Sequence, residues 1–82
     1  MEADGQADLN RLRWHCRRGM LELDLLLAGF LEERYPALAP EQQRLFARLL
    51  DYPDQVLSDW LSGNSVPGDA AMRALVAQIR GL

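Results

Sequence analysis

The chain has 82 residues and a net charge of −3, which fits one domain spanning residues 1–82 and is too small to line a deep substrate cavity beside its own core. A single cysteine excludes an internal disulfide and a multi-cysteine zinc site, so we expect a reducing, intracellular setting. The acidic balance argues against a nucleic-acid partner. The acidic N-terminus and the lack of a long apolar run predict neither export by a cleavable signal nor a membrane span, and we expect no membrane partner.

The first predicted helix covers roughly residues 9–17. Asp8 can cap it, and residues 1–7 before the cap are expected to be frayed. Gly19 is expected to end or bend this helix. Its apolar residues recur at helical spacing and place the only cysteine in the core: Leu9, Leu12 and Cys16.

The second predicted helix has Glu22 in its first turn, where a negative charge opposes the positive end of the backbone dipole. It stops near Tyr35, because Pro36 disfavours helical geometry at the residue before it. Gly29 lies inside this helix, and it either lets another helix pack closely or lets a partner's backbone approach. The apolar stripe consists of Leu23, Leu26, Leu27, Phe30 and Leu31.

Three further helices complete the chain. Pro40 is predicted at the first position of the third helix and Pro53 at that of the fourth. Gly63 supplies a left-handed stop, residues 65–68 form a turn, and the last helix ends before Gly81. The predicted apolar faces are Leu45, Phe46, Leu49 and Leu50, then Val56, Leu57, Trp60 and Leu61, then Met72, Leu75, Val76 and Ile79. Because no segment alternates like a strand, the sequence predicts an all-α fold, a small bundle of about five short helices.

Catalytic and metal chemistry find little support in the residue types present. The only histidine and the only cysteine, His15 and Cys16, are adjacent, so on a helix their side chains diverge by about 100°. A Cys–His catalytic pair needs hydrogen-bond contact, and a zinc site needs more ligands than these two. We therefore predict no catalytic or metal-binding residue, a core position for Cys16 and a surface position for His15. No glycine-rich phosphate loop is present either.

Residues 14–24, W-H-C-R-R-G-M-L-E-L-D, form the most unusual tract. Two arginines precede a glycine turn, and an acid follows three residues after the glycine. We interpret Arg18 and Glu22 as a donor and an acceptor that the turn presents side by side to a partner. The alternative is that they pair with each other as an exposed ion pair of little energetic value.

This tract, with L-F-x-x-L-L-D at residues 45–51 and D-W-L at 59–61, resembles the succinate dehydrogenase assembly factor family over roughly residues 11–80. Arg18, Gly19 and Glu22 match the R-G-x-x-E signature of that family. The resemblance implies an all-helical protein that binds the flavoprotein subunit of succinate dehydrogenase, and in bacteria of fumarate reductase. It also implies that the protein promotes covalent attachment of FAD to that subunit, in which a histidine of the subunit attacks the 8α-methyl carbon of its own FAD. The chain looks like a bacterial cytoplasmic member, monomeric when free, that is not an enzyme and holds no FAD stably itself.

We hypothesise that the signature lies at the centre of a partner-binding surface, where a glycine admits the client and charged side chains form hydrogen bonds to it. Two other functions stay open. One is a regulatory, antitoxin-like module that masks a basic or cytoskeletal partner, and the other is a DNA-binding helical domain, which the negative net charge disfavours. The predicted partner-binding residues are Arg18, Gly19, Glu22, Arg17, Trp14 and Asp24.

Overall fold

Five α-helices and one 3₁₀ turn make up the fold of residues 2–81. The structure, a computed structural model, describes residues 2–81, with side chains described from residue 9 onward. No strand occurs within that range, which confirms the prediction of a small all-α bundle. The elements are α1 (Glu2–His15), α2 (Leu21–Glu33), the 3₁₀ turn (Tyr35–Ala37), α3 (Pro40–Leu49), α4 (Asp54–Ser62) and α5 (Ala70–Arg80).

Helices α2 and α5 form the centre of the bundle. Helix α2 packs against α1, α4 and α5, and α5 also packs against α3 and α4. The rings of Phe30 and Phe46 lie 5.4 Å apart at the middle of the core. The buried apolar side chains are Leu12, Cys16, Leu23, Leu27, Phe30, Leu31, Phe46, Leu49, Leu50, Leu57, Trp60, Leu61, Met72, Leu75, Val76 and Ile79. All of them were predicted from helical spacing, because each helix buries one stripe of its surface.

Helix ends follow local chemistry that the sequence makes visible. Pro40 is the first residue of α3, as predicted. Gly63 ends α4 with φ of 88°, a left-handed conformation that favours glycine. A Cβ at this position would also lie 2.8 Å from the Arg80 guanidinium. At the start of α5, the Asp69 carboxylate accepts a hydrogen bond from the backbone N–H of Met72.

The first helix differs from its prediction at both ends. It begins at Glu2 and ends at His15, so Asp8 lies inside the helix and is not its cap. Residues 2–7 are helical instead of frayed, while Met1 lies outside the described residues. Acidic residues near a helix N-terminus are favourable for the backbone dipole, and the one glycine in this segment costs only about 1 kcal/mol in a helix. An ion pair ties α1 to α2: Arg13 Nε donates to Glu32 Oε2 at 2.7 Å, which lowers the pKa of the Glu32 carboxyl.

Three smaller predictions also need correction. Pro53 is the N-cap of α4 instead of its first helical residue, because its ψ of 154° is extended. Leu26 was assigned to the buried stripe of α2, but it is exposed, at 38%. Leu45 and Val56 are half-buried and pack against the core from outside. No helix in the described part of the chain is long and apolar enough to cross a membrane.

Candidate partner-binding site

The turn between α1 and α2, residues 16–20, forms a corner that is held in one conformation. Gly19 has φ of 81°, which a residue with a Cβ rarely adopts, although no atom lies within 4 Å of where that Cβ would be. Glycine is therefore needed here for the backbone and not for space. The Asp24 carboxylate accepts hydrogen bonds from the backbone N–H groups of Arg18 at 2.8 Å and Gly19 at 3.1 Å. One side chain of α2 thus fixes two consecutive peptides of the corner.

The Arg18 side chain joins the corner to the connection between α3 and α4. Its Nε donates to the carbonyl oxygen of His15 at 3.0 Å, and its Nη1 donates to the carbonyl oxygen of Tyr52 at 3.0 Å. The same Nη1 pairs with Asp54 Oδ1 at 2.8 Å, and Nη2 donates to the carbonyl oxygen of Leu50. These four hydrogen bonds use four of the five N–H donors of a guanidinium. We call this set of contacts the Arg18 clamp.

The clamp changes the interpretation of Arg18. The side chain is only 14% exposed, and its ion pair is with Asp54. The alternative in which Arg18 pairs with Glu22 is therefore wrong. The donors that the sequence analysis assigned to a partner are engaged within the protein, so the geometry makes Arg18 a residue that positions the corner. Its contact with a partner stays a prediction.

Glu22 lies on the solvent side of the first turn of α2. It makes no side-chain hydrogen bond or ion pair within the part of the chain whose side chains are described. Two leucines one helical turn apart are exposed on the same helix, Leu21 at 74% and Leu25 at 64%. A carboxylate beside two exposed leucines gives α2 an outer face that can contact a partner through both apolar and charged groups. Leu21 and Leu25 were not part of the predicted buried stripe of α2. That they are exposed to solvent, and not covered by another helix, is seen only in the structure.

Trp14 and Arg17 form the other side of the corner. The Trp14 side chain is 69% exposed, and the Arg17 guanidinium lies 5.3 Å from the centre of its ring. Exposed tryptophan and arginine are the residue types that most often dominate binding energy at protein interfaces. The structure therefore brings Trp14, Arg17, Gly19 and Glu22 to the surface around one corner, while Arg18 and Asp24 point their polar groups into it.

Neither His15 nor Cys16 forms a catalytic arrangement. Cys16 is 1% exposed and belongs to the core, as predicted, whereas His15 is exposed. Burial raises the pKa of the Cys16 thiol to about 11, with the nearby Arg18 charge opposing the shift. A thiol of this kind is protonated at neutral pH and is a poor nucleophile. Within the described residues, no group of histidine, cysteine and acidic side chains is placed to hold a metal ion.

Gly29 does not serve helix packing. A Cβ added to it would meet no atom within 4 Å, so the interpretation that it admits a neighbouring helix is wrong. Gly29 instead borders an open groove between α2 and α5, together with Leu25 and Glu33. The other interpretation, close approach of a partner's backbone, stays a prediction.

The groups that hold Arg18 were not predicted from the sequence. Asp54 and the carbonyl groups of Leu50 and Tyr52 lie 32 to 36 residues away along the chain. Two of these three acceptors are backbone oxygens, which any residue type supplies. The one indication in the sequence was the predicted helix break at residues 51–54. Carbonyl groups at the end of a helix such as α3 have no hydrogen-bond donor within the helix and are free to accept from elsewhere.

Comparison with known proteins decides the family. Residues 10–82 match the protein family described as flavinator of succinate dehydrogenase. The chain belongs to this family. That confirms the resemblance seen over roughly residues 11–80, which covers nearly the same part of the chain.

Individual relatives of this flavinator family agree. The chain is 46% identical over 74 residues to the FAD assembly factor SdhE of Pseudomonas aeruginosa, covering 90% of this chain and 88% of that protein. It is 43% identical over 72 residues to the FAD assembly factor SdhE of Coxiella burnetii, covering 88% of each. The SdhE of Xylella fastidiosa is 43% identical over 79 residues, 96% of this chain and 81% of that protein. This flavinator-family chain therefore corresponds to most of each relative's length.

Proposed function

We propose that the chain binds the flavoprotein subunit of succinate dehydrogenase and promotes covalent attachment of FAD to it. Membership of the flavinator family and the names of the relatives support this proposal. The observation that carries it for this chain is the exposed surface at the corner, with Trp14 and Arg17 on one side and Leu21 and Glu22 on the other. We extend the proposal to the flavoprotein subunit of fumarate reductase. We also propose that the chain is cytoplasmic and that it is a monomer when free.

The proposed role is to orient the client and not to supply a reacting group. The exposed groups at the corner include an indole, a guanidinium, a carboxylate and leucine side chains, which suit contact with a protein surface. A corner held by the Arg18 clamp and by Asp24 presents these groups without a large loss of conformational freedom on binding. Holding the immature subunit in one arrangement brings its own reactive groups together. The FAD and the residue that it modifies both belong to the client.

The test is covalent flavin on the client subunit, measured by in-gel fluorescence after denaturation. Cells contain the wild-type chain, no chain, Glu22→Ala or Glu41→Ala at equal abundance. Glu41 is a matched control, because it is also an exposed acid in the first turn of a helix, α3, and it does not line the surface around the corner. Loss of either carboxylate from a helix N-terminus costs only about 0.3–1 kcal/mol of stability.

We expect fluorescence to fall without the chain, to return with wild type and Glu41→Ala, and to stay low with Glu22→Ala. Circular dichroism of the purified variants should show equal helicity. Full fluorescence in cells without the chain would overturn the assembly function and favour the regulatory alternative. Full restoration by Glu22→Ala would keep the function and remove Glu22 from its surface.

A further inference from the structure

A second feature, separate from the exposed outer face of α2, is a cleft between α1 and α3. It is open to solvent and encloses about 410 Å³. Arg11 and His15 line it from α1, and Arg44 and Arg48 line it from α3. The cleft reaches the corner, because His15 also lines the adjoining depression beside Trp14 and Arg17.

Positive charge is concentrated in this cleft although the whole chain carries −3. Among the lining residues whose side chains are described, three carry a guanidinium group and one, Asp51, carries a carboxylate. Arg44 and Arg48 are four residues apart on α3, where like charges repel and destabilise a helix. Neither forms a side-chain hydrogen bond or ion pair with another residue in the range 9–81. The fold therefore keeps two mutually repelling cations together in a concave surface, and an anionic ligand would relieve that repulsion.

The spacing of the cations indicates what kind of anion fits. The Cα atoms of Arg44 and Arg48 are about 6 Å apart along the axis of α3, so the two side chains leave the helix one turn apart. Carboxylates four residues apart on a helix, or two residues apart on a strand, have a similar spacing of about 6–7 Å. Apolar side chains in the wall, Leu12, Pro40 and Ala47, offer contact to the carbon chains that carry such carboxylates. A long polyanion such as a nucleic acid would be repelled by the acidic remainder of the chain.

We propose that the cleft between α1 and α3 binds an acidic segment of a partner protein, two of whose carboxylates pair with Arg44 and Arg48. That this partner is the flavoprotein subunit of succinate dehydrogenase rests on the proposed function. The segment lies beside the corner, so the cleft and the corner contact one partner together. Guanidinium groups suit this task because they form paired hydrogen bonds to carboxylates.

The test measures binding of the purified chain to the purified flavoprotein subunit lacking covalent flavin, by biolayer interferometry. The variant is Arg44→Gln with Arg48→Gln. The control is Arg34→Gln with Arg80→Gln, which removes the same charge from exposed arginines that do not line the cleft. We expect the first double variant to weaken binding about tenfold at about 50 mM salt, and the difference to shrink at about 500 mM salt. The control should bind within about twofold of wild type.

Two probes of the free chain separate the possible ligands. One is a synthetic helical peptide with two glutamates four residues apart, compared with its glutamine counterpart. The other is succinate. Binding of the glutamate peptide that is lost in Arg44→Gln with Arg48→Gln supports the proposal. Binding of succinate through these arginines, with no binding of the peptide, would overturn it and assign the cleft to a small dicarboxylate.

The outcomes also separate this proposal from the proposed function. If the cleft variant binds the subunit as tightly as wild type, the cleft proposal is overturned while the proposed function stands. If wild type itself does not bind the subunit, the proposed function fails. In that case the glutamate peptide tests the cleft proposal separately. Peptide binding that requires Arg44 and Arg48 supports an acidic partner of another identity, whereas the absence of peptide binding overturns the proposal.

Discussion

Arg18 provides the sharpest test of how the corner is built. Replacing it by glutamine removes the cation and the guanidinium fork but keeps a polar side chain. The change leaves the carbonyl oxygens of His15, Leu50 and Tyr52 and the Asp54 carboxylate without their donor. If Arg18 instead served only to contact a partner, its loss would leave the free protein as stable as before.

The expected loss of stability in Arg18→Gln depends on how deeply the Arg18–Asp54 ion pair is buried. A hydrogen bond to a charged group contributes about 1.5–3 kcal/mol to the free energy of unfolding. Adding this value for all four bonds would overestimate the loss, because neighbouring interactions are not additive. Breaking a fully buried ion pair costs about 3–5 kcal/mol, whereas an exposed pair is worth about 0–1 kcal/mol. The Arg18 side chain is 14% exposed and that of Asp54 is 47% exposed, so the clamp lies between these limits. We expect Arg18→Gln to lower the free energy of unfolding by about 2–4 kcal/mol.

Urea denaturation followed by circular dichroism measures this loss. For a small domain the midpoint should fall by more than about 1 M urea. Arg18→Lys should recover only part of the loss, because a single ammonium does not reach three carbonyls and a carboxylate in the geometry of the fork. Arg17→Gln, which removes an exposed arginine stacked on Trp14, should cost less than about 1 kcal/mol. Equal midpoints for Arg18→Gln and wild type would refute the clamp.

Two further predictions concern the core. Leu27→Ala should destabilise the protein by about 2–5 kcal/mol, because Leu27 is 0% exposed and its truncation leaves a cavity at the centre of the bundle; a midpoint equal to that of wild type would contradict the packing of α2. Cys16 should react slowly with iodoacetamide at pH 7.5 in the folded protein and rapidly in urea, because burial raises the pKa of its thiol to about 11. Equal rates in the two conditions, measured by mass spectrometry, would show that the thiol is accessible in the folded protein.

Much of the fold was predictable because a helix buries a periodic stripe. Leu23, Leu27, Phe30 and Leu31 recur at helical spacing and all lie in the core. The ends of helices could be predicted where a single residue sets them, as Gly63 ends α4 by adopting a left-handed φ. Prediction failed where several local outcomes have similar free energy. Residues 2–7 contain no strong helix breaker, and only the structure shows that α1 begins at Glu2.

By itself, the sequence determined the helical class, most of the core and the family, because periodicity and signature residues are local properties of the chain. It also indicated that residues 14–24 matter. Only the tertiary structure decided what each of them does there. Arg18 meets acceptors more than 30 residues away and becomes a clamp, while Glu22 stays in solvent. Sequence spacing specifies which residues share a helix face, but not which distant backbone oxygens that face will meet, because those depend on how the helices pack.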